Sequence, residues 1–514
     1  MTKSTITSDA IIKKLEGRLT DFGTDAKTTN VGRIEKLGDE VVVASGLSKA
    51  VMGEEVEFQD GTLGLILELN EDTVSIVLLG KSTILKEGDS IKTTGRILSV
   101  IADDKLLGRV VNPLGIPLDG KDEIKKGKQM RLERVAAGVV DRQKVDTPLK
   151  TGIKAVDALI PIGRGQRELI IGDRGLGKTA VAVDTIINQA KLNKTLSKNQ
   201  KRVLCVYVAI GQKQSTVARV MQTLQEAGAL EYTVIVAANA SDSAALQYLA
   251  PYAGVAIAEY FMEKGEDVLI IYDDLTKHAF AYRQISLVLK RPAGREAYPG
   301  DIFYLHSILL ERAVRMNDRL GGGSITALPV IETQADDISA YIPTNVISIT
   351  DGQIFLKSDL FNSGIRPALD VGNSVSRVGG DAQTKAMKSV AGKIKLELAQ
   401  YRELAVFAQF GSELDESTTR QLERGKRLTE ILKQPQYNPL PEELEVASIW
   451  VVANGYTDDI PVNDLRDFED KYHDYLKAHA KKLLETLATG AKLTDETNAE
   501  LQKQTEAFKK GFKK

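Results

Sequence analysis

Apolar residues follow three different patterns along this chain of 514 residues. Between residues 31 and 99 they form short runs, such as residues 63–67 and 73–78, and Gly and Asp turn signals separate these runs. Short, regularly spaced β-type runs with such turns are typical of a small barrel or sandwich. We therefore predict a β-barrel domain over residues 26–98.

The middle of the chain alternates between two periodicities. Residues 203–210, 233–237 and 268–274 are apolar runs typical of buried strands, whereas residues 244–263 are typical of a helix. Strands that alternate with helices predict a parallel sheet covered by helices. The sequence thus predicts an α/β domain over residues 99–382.

Glycine and strand signals become rare in the last part of the chain. Stretches rich in Lys, Glu, Leu, Ala and Gln predict an α-helical bundle over residues 383–514. Residues 491–514 are highly charged, so we expect a frayed, solvated terminal helix there.

The N-terminal segment, residues 1–25, precedes any predicted core. Residues 7–19 carry Ile12, Leu15 and Leu19 with charges between them, which predicts a short amphipathic helix. Such a terminal helix is either frayed or a docking element for another chain, and the residues alone leave both possibilities open.

Composition indicates a globular protein of about three domains without a basic surface. The chain is 43% hydrophobic and 27% charged, and its net charge of −2 does not indicate a partner among nucleic acids. No run approaches the ~18 apolar residues that span a bilayer, so we expect membrane contact only through partners. The N-terminus has neither an apolar signal region nor an arginine-rich transit pattern. A single cysteine, Cys205, excludes a disulfide within the chain and is expected to be buried.

The chain contains the phosphate-binding pattern G-x-x-x-x-G-K-[ST]. Glycines allow a tight turn whose N–H groups point at a phosphate, and the following helix adds the positive end of its dipole. Lys178 would contact the β- and γ-phosphates, and the Thr179 hydroxyl would bind Mg²⁺. The predicted nucleotide-binding loop consists of Gly172, Asp173, Arg174, Gly175, Leu176, Gly177, Lys178 and Thr179.

The surroundings of this loop fit its predicted chemistry. Residues 168–171 are typical of a short buried strand, and apolar residues recur at helical spacing after Lys178. Strand, glycine loop and helix is the order that a phosphate-binding loop requires, although a surface turn can match the pattern by chance. The pattern predicts a P-loop that binds ATP or ADP with Mg²⁺.

A second candidate metal position follows the strand at residues 268–274, which ends in Asp273 and Asp274. P-loop ATPases hold Mg²⁺ through a carboxylate at such a strand end, usually with an intervening water. We predict that Asp273 has this role, and the alternative is an ordinary solvated aspartate.

Five further segments of the chain form distinctive motifs: PIGRGQRE at 161–168, YVAIGQK at 207–213, GREAYPGD at 294–301, GIRP at 364–367 and SVSRVG at 374–379. These segments resemble the α subunits of rotary ATP synthases, and the resemblance extends over nearly the whole chain. This family implies a RecA-like central domain and a ring of three such chains alternating with three catalytic β subunits around a central γ subunit.

The resemblance implies that this chain's own nucleotide site is not catalytic. Catalytic relatives have a glutamate that activates the attacking water where this chain has Gln212, and a neutral amide cannot accept a proton as a carboxylate does. Glutamine positions water in small GTPases, so Gln212 alone does not exclude slow hydrolysis.

The resemblance also implies that Arg377 acts in trans. The matching arginine reaches the γ-phosphate bound to the neighbouring β subunit, and a guanidinium suits charge spread over phosphoryl oxygens. Ser374 and Ser376 would hold the loop that directs this arginine finger. The alternative is an arginine that pairs with a local carboxylate.

The family further implies an adenine pocket with ring stacking, a cation–π contact and amide hydrogen bonds to the base. Gly175 and Leu176 replace a glutamine and a threonine usual in the family's loop, and Asp381 stands where a small apolar residue is usual and could pair with Arg377. The implied pocket residues are Phe361, Arg366, Pro367, Gln434 and Gln436.

These observations together predict a regulatory, ATP-binding α subunit of an ATP synthase that couples ATP synthesis or hydrolysis to H⁺ or Na⁺ transport. The resemblance implies that the helix at residues 7–19 docks onto the δ and b subunits of the peripheral stalk, at the cytoplasmic face of a membrane. The alternatives are a catalytic homohexameric ring ATPase of the secretion type, which would have a carboxylate in place of Gln212, and a helicase, which would have a basic, aromatic single-strand site.

Overall fold

The computed structural model describes residues 30–38, 40–80, 84–196, 200–408 and 415–512. The predicted helix at residues 7–19 lies outside the described residues. The chain divides into two compact units, one ending at Ile97 and one beginning at Leu98, and no second division separates residues 99–382 from the segment that follows them. No helix of the described residues is long and apolar enough to cross a membrane.

The first unit is a closed barrel of six antiparallel strands in the order β1-β2-β5-β4-β3-β6. Alternate residues point inward, as Val56 and Phe58 do on the third strand, so one face of each strand fills the barrel. The predicted barrel is confirmed. Its strands are β1 (Val31–Leu37), β2 (Val41–Ser45), β3 (Glu54–Phe58), β4 (Leu63–Leu69), β5 (Thr73–Leu78) and β6 (Ser90–Ile97).

The second unit contains a nine-stranded sheet in which the six successive pairings from β18 to β8 are parallel. The order is β19-β18-β12-β17-β15-β13-β14-β8, with β16 antiparallel to β17; β7 pairs with β9, and β10 with β11. The strands are β7 (Ser99–Ala102), β8 (Val110–Val111), β9 (Lys128–Arg131), β10 (Pro148–Leu149), β11 (Ile162–Gly163), β12 (Leu169–Asp173), β13 (Val203–Gln212), β14 (Thr233–Asn239), β15 (Asp267–Asp273), β16 (Val314–Arg315), β17 (Ser324–Thr333), β18 (Gly352–Leu356) and β19 (Val375–Ser376).

Helices cover this sheet, and further helices follow its last strand in the chain. Four of them, α2 to α5, pack against β13, so this strand is buried on both faces and is apolar along almost its whole length. The helices are α1 (Lys154–Leu159), α2 (Lys178–Thr195), α3 (Gln214–Glu226), α4 (Ala244–Glu263), α5 (Leu275–Val288), α6 (Ile302–Leu310), α7 (Tyr341–Ile349), α8 (Ser358–Asn362), α9 (Lys385–Ala408), α10 (Glu416–Ile431), α11 (Glu442–Ala453), α12 (Leu465–His479), α13 (Lys481–Ala488) and α14 (Asp495–Gly511).

The predicted α/β domain and the predicted helical domain are both confirmed, and one hydrophobic core joins them. This core extends from Ile170 on β12 to Phe508 on α14. Cys205 lies within it, as expected, and burial raises the pKa of its thiol.

The expectation of a frayed terminal helix is wrong. Helix α14 buries Leu501, Thr505 and Phe508, and the Phe508 ring lies 5.2 Å from that of Phe468 on α12. The Tyr472 hydroxyl also forms a 2.8 Å hydrogen bond with Thr505. The charged residues of α14 occupy its outer face, so its sequence looks solvated although its apolar stripe is docked.

Candidate functional site

The predicted P-loop connects β12 to α2 at the carboxyl edge of the sheet. Gly175 and Gly177 have φ angles of +84° and +97°, a left-handed conformation that glycine adopts without a steric penalty. A side chain on Gly172 would place its Cβ 2.4 Å from the carbonyl oxygen of Leu356 on β18. The loop conformation therefore requires all three glycines.

Lys178 is buried at the start of α2 and folds over the loop. Its Nζ donates to the carbonyl oxygens of Gly172 (2.6 Å) and Asp173 (2.7 Å). Burial lowers the pKa of Lys178, whereas the nearby carboxylates of Glu332, Asp274 and Asp273 oppose that shift. The ammonium group thus lies where a phosphate would bind, and its two hydrogen bonds to carbonyl oxygens can be replaced by bonds to phosphate oxygens.

Asp173 braces the loop with its side chain. One carboxylate oxygen accepts hydrogen bonds from the Thr333 hydroxyl (2.6 Å) and the backbone N–H of Asp336 (3.0 Å), and the other lies 3.4 Å from the hydroxyl of Ser358. These contacts connect the loop to the end of β17 and the start of α8. Arg174, by contrast, is exposed.

Asp273, at the end of β15, lies directly beside the start of α2. Its Oδ2 accepts hydrogen bonds from the Thr179 hydroxyl and from the Tyr207 hydroxyl, both at 2.7 Å. Gln212, the last residue of β13, donates through Nε2 to the Asp273 carbonyl oxygen at 3.0 Å, and its Oε1 is buried without a donor. Thr179 and Asp273, the predicted metal ligands, therefore lie in one cluster with Gln212, which stands where catalytic relatives have a glutamate.

The second carboxylate of this strand end has a structural task. Asp274 caps α5 by accepting from the backbone N–H of Lys277 (2.9 Å), and it pairs with the Lys277 ammonium group (2.7 Å). Burial raises the pKa of Asp274, and Lys277 opposes this shift. Asp273 remains the carboxylate available beside Thr179.

The residues at this position fit Mg²⁺. A hydroxyl oxygen and a carboxylate oxygen are hard ligands, and few protein ligands suffice because Mg²⁺ keeps several of its waters and binds phosphates. The unpaired Oε1 of Gln212 is an acceptor suited to such a water.

A pocket of about 570 Å³ opens beside the loop, a volume that suits a nucleotide. The guanidinium of Arg366 lies 4.4 Å from the centre of the Phe361 ring, so a preformed cation–π pair stands in its wall. Leu176 contributes apolar surface, being buried in the core as well as lining the pocket. All five predicted adenine-pocket residues line this pocket: Phe361, Arg366, Pro367, Gln434 and Gln436.

The two glutamines of this pocket differ in their bonding. The Gln434 amide donates to the carbonyl oxygens of Gly152 (2.7 Å) and Asn438 (2.9 Å), and it accepts from the backbone N–H of Lys154 (3.1 Å). Gln436 is exposed, and its amide makes no hydrogen bond with the described part of the chain. Only the Gln436 amide is therefore available to a ligand without breaking protein contacts.

Asp184 of α2 lines the pocket and was not predicted from the sequence. Burial raises the pKa of its carboxyl to about 7, and a hydrogen bond from the backbone N–H of Tyr437 opposes this shift. A carboxylate among the apolar residues of an otherwise buried helix face is a signal that could have identified it. Lys433 and Arg466 also line the pocket and carry no comparable signal in the sequence.

Of the three predicted finger residues, Ser376 lies on the edge strand β19, Ser374 and Arg377 flank that strand, and none of them lines the pocket. Arg377 is exposed, its backbone N–H donates to the Asp351 carbonyl oxygen (2.8 Å), and its guanidinium has no partner among the described residues. Ser376 donates to the Pro161 carbonyl oxygen (2.6 Å), and Ser374 accepts from the backbone N–H of Phe355 (2.9 Å).

The carboxylate of Asp381, which could have paired with Arg377, has another partner. Asp381 forms an ion pair with Lys144 at 2.6 Å, and that contact lowers the pKa of Asp381. The Arg377 guanidinium therefore stays unpaired in spite of this departure from the family pattern.

Comparison with known proteins extends these observations to the whole chain. Residues 28–95, 152–376 and 383–508 match the models of the β-barrel, nucleotide-binding and C-terminal domains of the ATP synthase alpha/beta family. The chain is 57% identical over 503 residues to ATP synthase subunit alpha of Dehalococcoides mccartyi strains BAV1 and CBDB1. It is 56% identical to that of strain 195, and each alignment covers 98% of both proteins.

Proposed function

The chain belongs to the ATP synthase alpha/beta family as an alpha subunit of the F-type ATP synthase, and from this premise we propose that it binds a nucleotide without turning it over and supplies Arg377 to a neighbouring beta subunit. The family membership makes it one part of a complex with beta and other subunits. The finer assignments concern its own residues and are argued from their contacts.

The observation that supports the finger most strongly is the contrast between the anchored backbone and the unpaired side chain of Arg377. Hydrogen bonds to Asp351 and Ser376 fix the chain on both sides of its Cα, whereas the guanidinium is exposed and without a partner. Ion pairs of exposed arginines contribute little to stability, so stability alone does not explain why the backbone at Arg377 is fixed. A fixed backbone under a free guanidinium supports a contact with a phosphate on a neighbouring subunit.

The non-catalytic assignment of the chain's own site rests on Gln212. This amide occupies the position beside Asp273 and Thr179 where a general base would stand, and an amide does not accept a proton at neutral pH. Its Nε2 is engaged with the Asp273 carbonyl oxygen, which leaves Oε1 to orient water without activating it.

Thr179 and Asp273 would hold Mg²⁺, whose charge neutralises phosphate oxygens when it is bound. Lys178 would exchange its two carbonyl contacts for the β- and γ-phosphates. Arg366, Phe361 and Gln436 would hold the base in the pocket beside the loop.

We also propose that residues 1–25 dock onto the δ and b subunits of the peripheral stalk, that the ring surrounds the γ subunit, and that the head works at the cytoplasmic face of the membrane with H⁺ or Na⁺ as the coupling ion. Deleting residues 1–25 should release the stalk subunits while the ring persists, as measured by co-purification. Retention of the stalk by the truncated ring would contradict this assignment.

The finger is tested in the ring assembled from this chain and its own beta and γ subunits. Arg377→Ala should reduce ATP turnover by about 10³-fold or more, while ATP binding by the isolated chain is unchanged. Arg202→Ala is the matched control and should leave turnover unchanged. Arg202 is an exposed arginine immediately before β13 that pairs with Glu266. Wild-type turnover in the Arg377→Ala ring would refute the finger.

The nucleotide site is tested with the chain alone. Wild-type protein should bind Mg-ATP with negligible turnover, and Lys178→Ala should abolish binding. Sustained turnover that disappears in Lys178→Ala would mean that Gln212 supports hydrolysis.

A further inference from the structure

A buried carboxyl lies close to β19, the edge strand that ends one residue before Arg377. Glu168, immediately before β12, is fully buried. Its Oε2 accepts a hydrogen bond from Gln166 Nε2 at 2.7 Å, whereas Oε1 has no hydrogen-bond partner among the described residues. Burying a carboxyl without full pairing is costly, so its presence here requires a reason.

The amide of Gln166 connects this carboxyl to the residue next to Arg377. Its Nε2 also donates to the Ser376 hydroxyl oxygen at 3.2 Å, and its Oε1 accepts from the backbone N–H of Gly163 at 2.8 Å. The Gly163 N–H identifies Oε1 of this amide, and the Glu168 acceptor identifies Nε2. By accepting one N–H of Nε2, Glu168 directs the other N–H toward Ser376. Ser376 in turn donates to the Pro161 carbonyl oxygen and accepts from the backbone N–H of Gly379.

The backbone of the same edge lies against the carboxyl. Gly352 pairs with Ser376 across β18 and β19, and a Cβ on Gly352 would lie 2.6 and 2.9 Å from the two oxygens of Glu168. The neighbouring Asp351 carbonyl oxygen accepts the backbone N–H of Arg377. Two features hold the Arg377 backbone: the hydrogen bonds of the Ser376 hydroxyl and the pairing of β18 with β19. Glu168 reaches the first through Gln166 and lies against the second at Gly352.

Charge supports the same relation. Burial raises the pKa of Glu168 well above its usual range, and Asp351 raises it further, whereas the positive charge of Arg377 lowers it. The Asp351 carboxylate and the Arg377 guanidinium thus act on the pKa of the buried carboxyl with opposite signs.

We propose that Glu168 is a positioning residue for Arg377, acting through Gln166 and Ser376 to fix the direction in which the arginine leaves β19. This inference rests on the proposed role of Arg377 as a finger. It differs from a packing role because the acceptor oxygen of residue 168, and not its volume, orders the Gln166 amide. Misplacing a transition-state contact by about 1 Å can cost on the order of 10²-fold in rate.

The test uses the ring assembled from this chain with its own beta and γ subunits. Glu168→Leu removes the acceptor at similar volume and should lower kcat at least about tenfold with KM unchanged. Glu168→Gln retains an acceptor oxygen for Gln166 and should keep kcat within about threefold of the wild type. Glu445→Leu, at another fully buried glutamate, is the control for loss of a buried carboxyl and should leave kcat unchanged.

Two comparisons separate positioning from stability. In an Arg377→Ala ring, Glu168→Leu should have no further effect on turnover. Ser376→Ala, which changes a half-buried surface serine and does not depend on the folding of a Glu168 variant, should lower kcat in the same way.

Wild-type kcat in both Glu168→Leu and Ser376→Ala overturns the proposal, as does a Glu168→Leu loss that Glu168→Gln reproduces in full. An equal loss in the Arg377→Ala background also overturns it. Failure of the finger itself is distinguishable, because Arg377→Ala would then turn over ATP normally whatever residue occupies position 168.

Discussion

At the scale of single residues, the two glutamines of the base pocket separate structure from binding. Two hydrogen bonds of the Gln434 amide tie the segment after α10 to the start of α1, and a third is made to Asn438 within that segment, whereas the Gln436 amide has no partner in the described chain. Gln434 therefore stabilises the pocket wall, whereas Gln436 is free to form a hydrogen bond with a ligand.

We predict that Gln434→Ala lowers the free energy of unfolding by about 2 kcal/mol, because it leaves buried backbone groups unpaired. Gln436→Ala should change stability by less than about 0.5 kcal/mol and weaken ATP binding by about two- to tenfold. Urea unfolding and equilibrium ATP binding of the two variants measure both effects. Equal stability losses in the two variants would contradict the division of tasks.

The Thr179 hydroxyl should matter only when the metal is present. Thr179→Val removes an oxygen that bonds Asp273, so ATP affinity in Mg²⁺ should fall by roughly tenfold or more while affinity in EDTA changes little. Thr185→Val on the same helix is the matched control, because the Thr185 hydroxyl donates to the Val181 carbonyl oxygen. Equal weakening with and without Mg²⁺ would exclude Thr179 as a metal ligand.

At the scale of secondary-structure elements, α4, α5 and α6 enclose two histidines that must stay neutral. Among the described residues, His278 forms no ion pair and the two ring nitrogens of His306 have no hydrogen-bond partner. The centroids of the two rings lie 5.4 Å apart. Burial lowers the pKa of His306 to about 4. An unfolded chain therefore binds a proton at this position between pH 6.5 and about 4, whereas the folded chain does not.

Stability should consequently fall as the pH is lowered through this window. At pH 5 the shift at His306 corresponds to about 2 kcal/mol of destabilisation relative to pH 7. His306→Leu should lose about this much of the pH dependence in thermal or urea unfolding, whereas His479→Leu, at an exposed histidine, should retain it. A pH profile of His306→Leu identical to that of the wild type would contradict the assignment.

At the scale of the whole molecule, the base pocket is built from segments far apart in the chain: the P-loop with α2, residues 361–367 and residues 433–436. A nucleotide bound there would contact both the sheet domain and the helical domain. Binding should therefore stabilise the helical domain as well as the loop that holds the phosphates.

The single tryptophan, Trp450, reports on this coupling because it is buried in α11 of the helical domain. We predict that Mg-ATP at about 100 times its Kd stabilises the folded chain by about 2.7 kcal/mol and raises the unfolding midpoint followed by tryptophan fluorescence. Lys178→Ala should abolish the shift. An unchanged midpoint in wild-type protein that binds ATP would show that the helical domain unfolds independently of the site.

Much of the fold followed from local patterns, because strand and helix periodicity in this chain is strong. The helix predicted at residues 244–263 matches α4 at both ends, and the strand predicted at 73–78 matches β5. Within the predicted helical bundle, the chain breaks at Ala480, between the end of α12 and the start of α13. No glycine or proline marks that break in the sequence.

The sequence by itself determined the order of the domains, the P-loop and the carboxylate at the end of β15, because each depends on residues adjacent in the chain. Only the tertiary structure decided that α14 is docked, that Gln434 is engaged while Gln436 is not, and that Asp381 pairs with Lys144. It alone placed the Glu168 carboxyl against Gly352 and the Gln166 amide. These outcomes depend on which distant segments meet, and hydrogen-bond partners across such contacts leave no periodic signal in the chain.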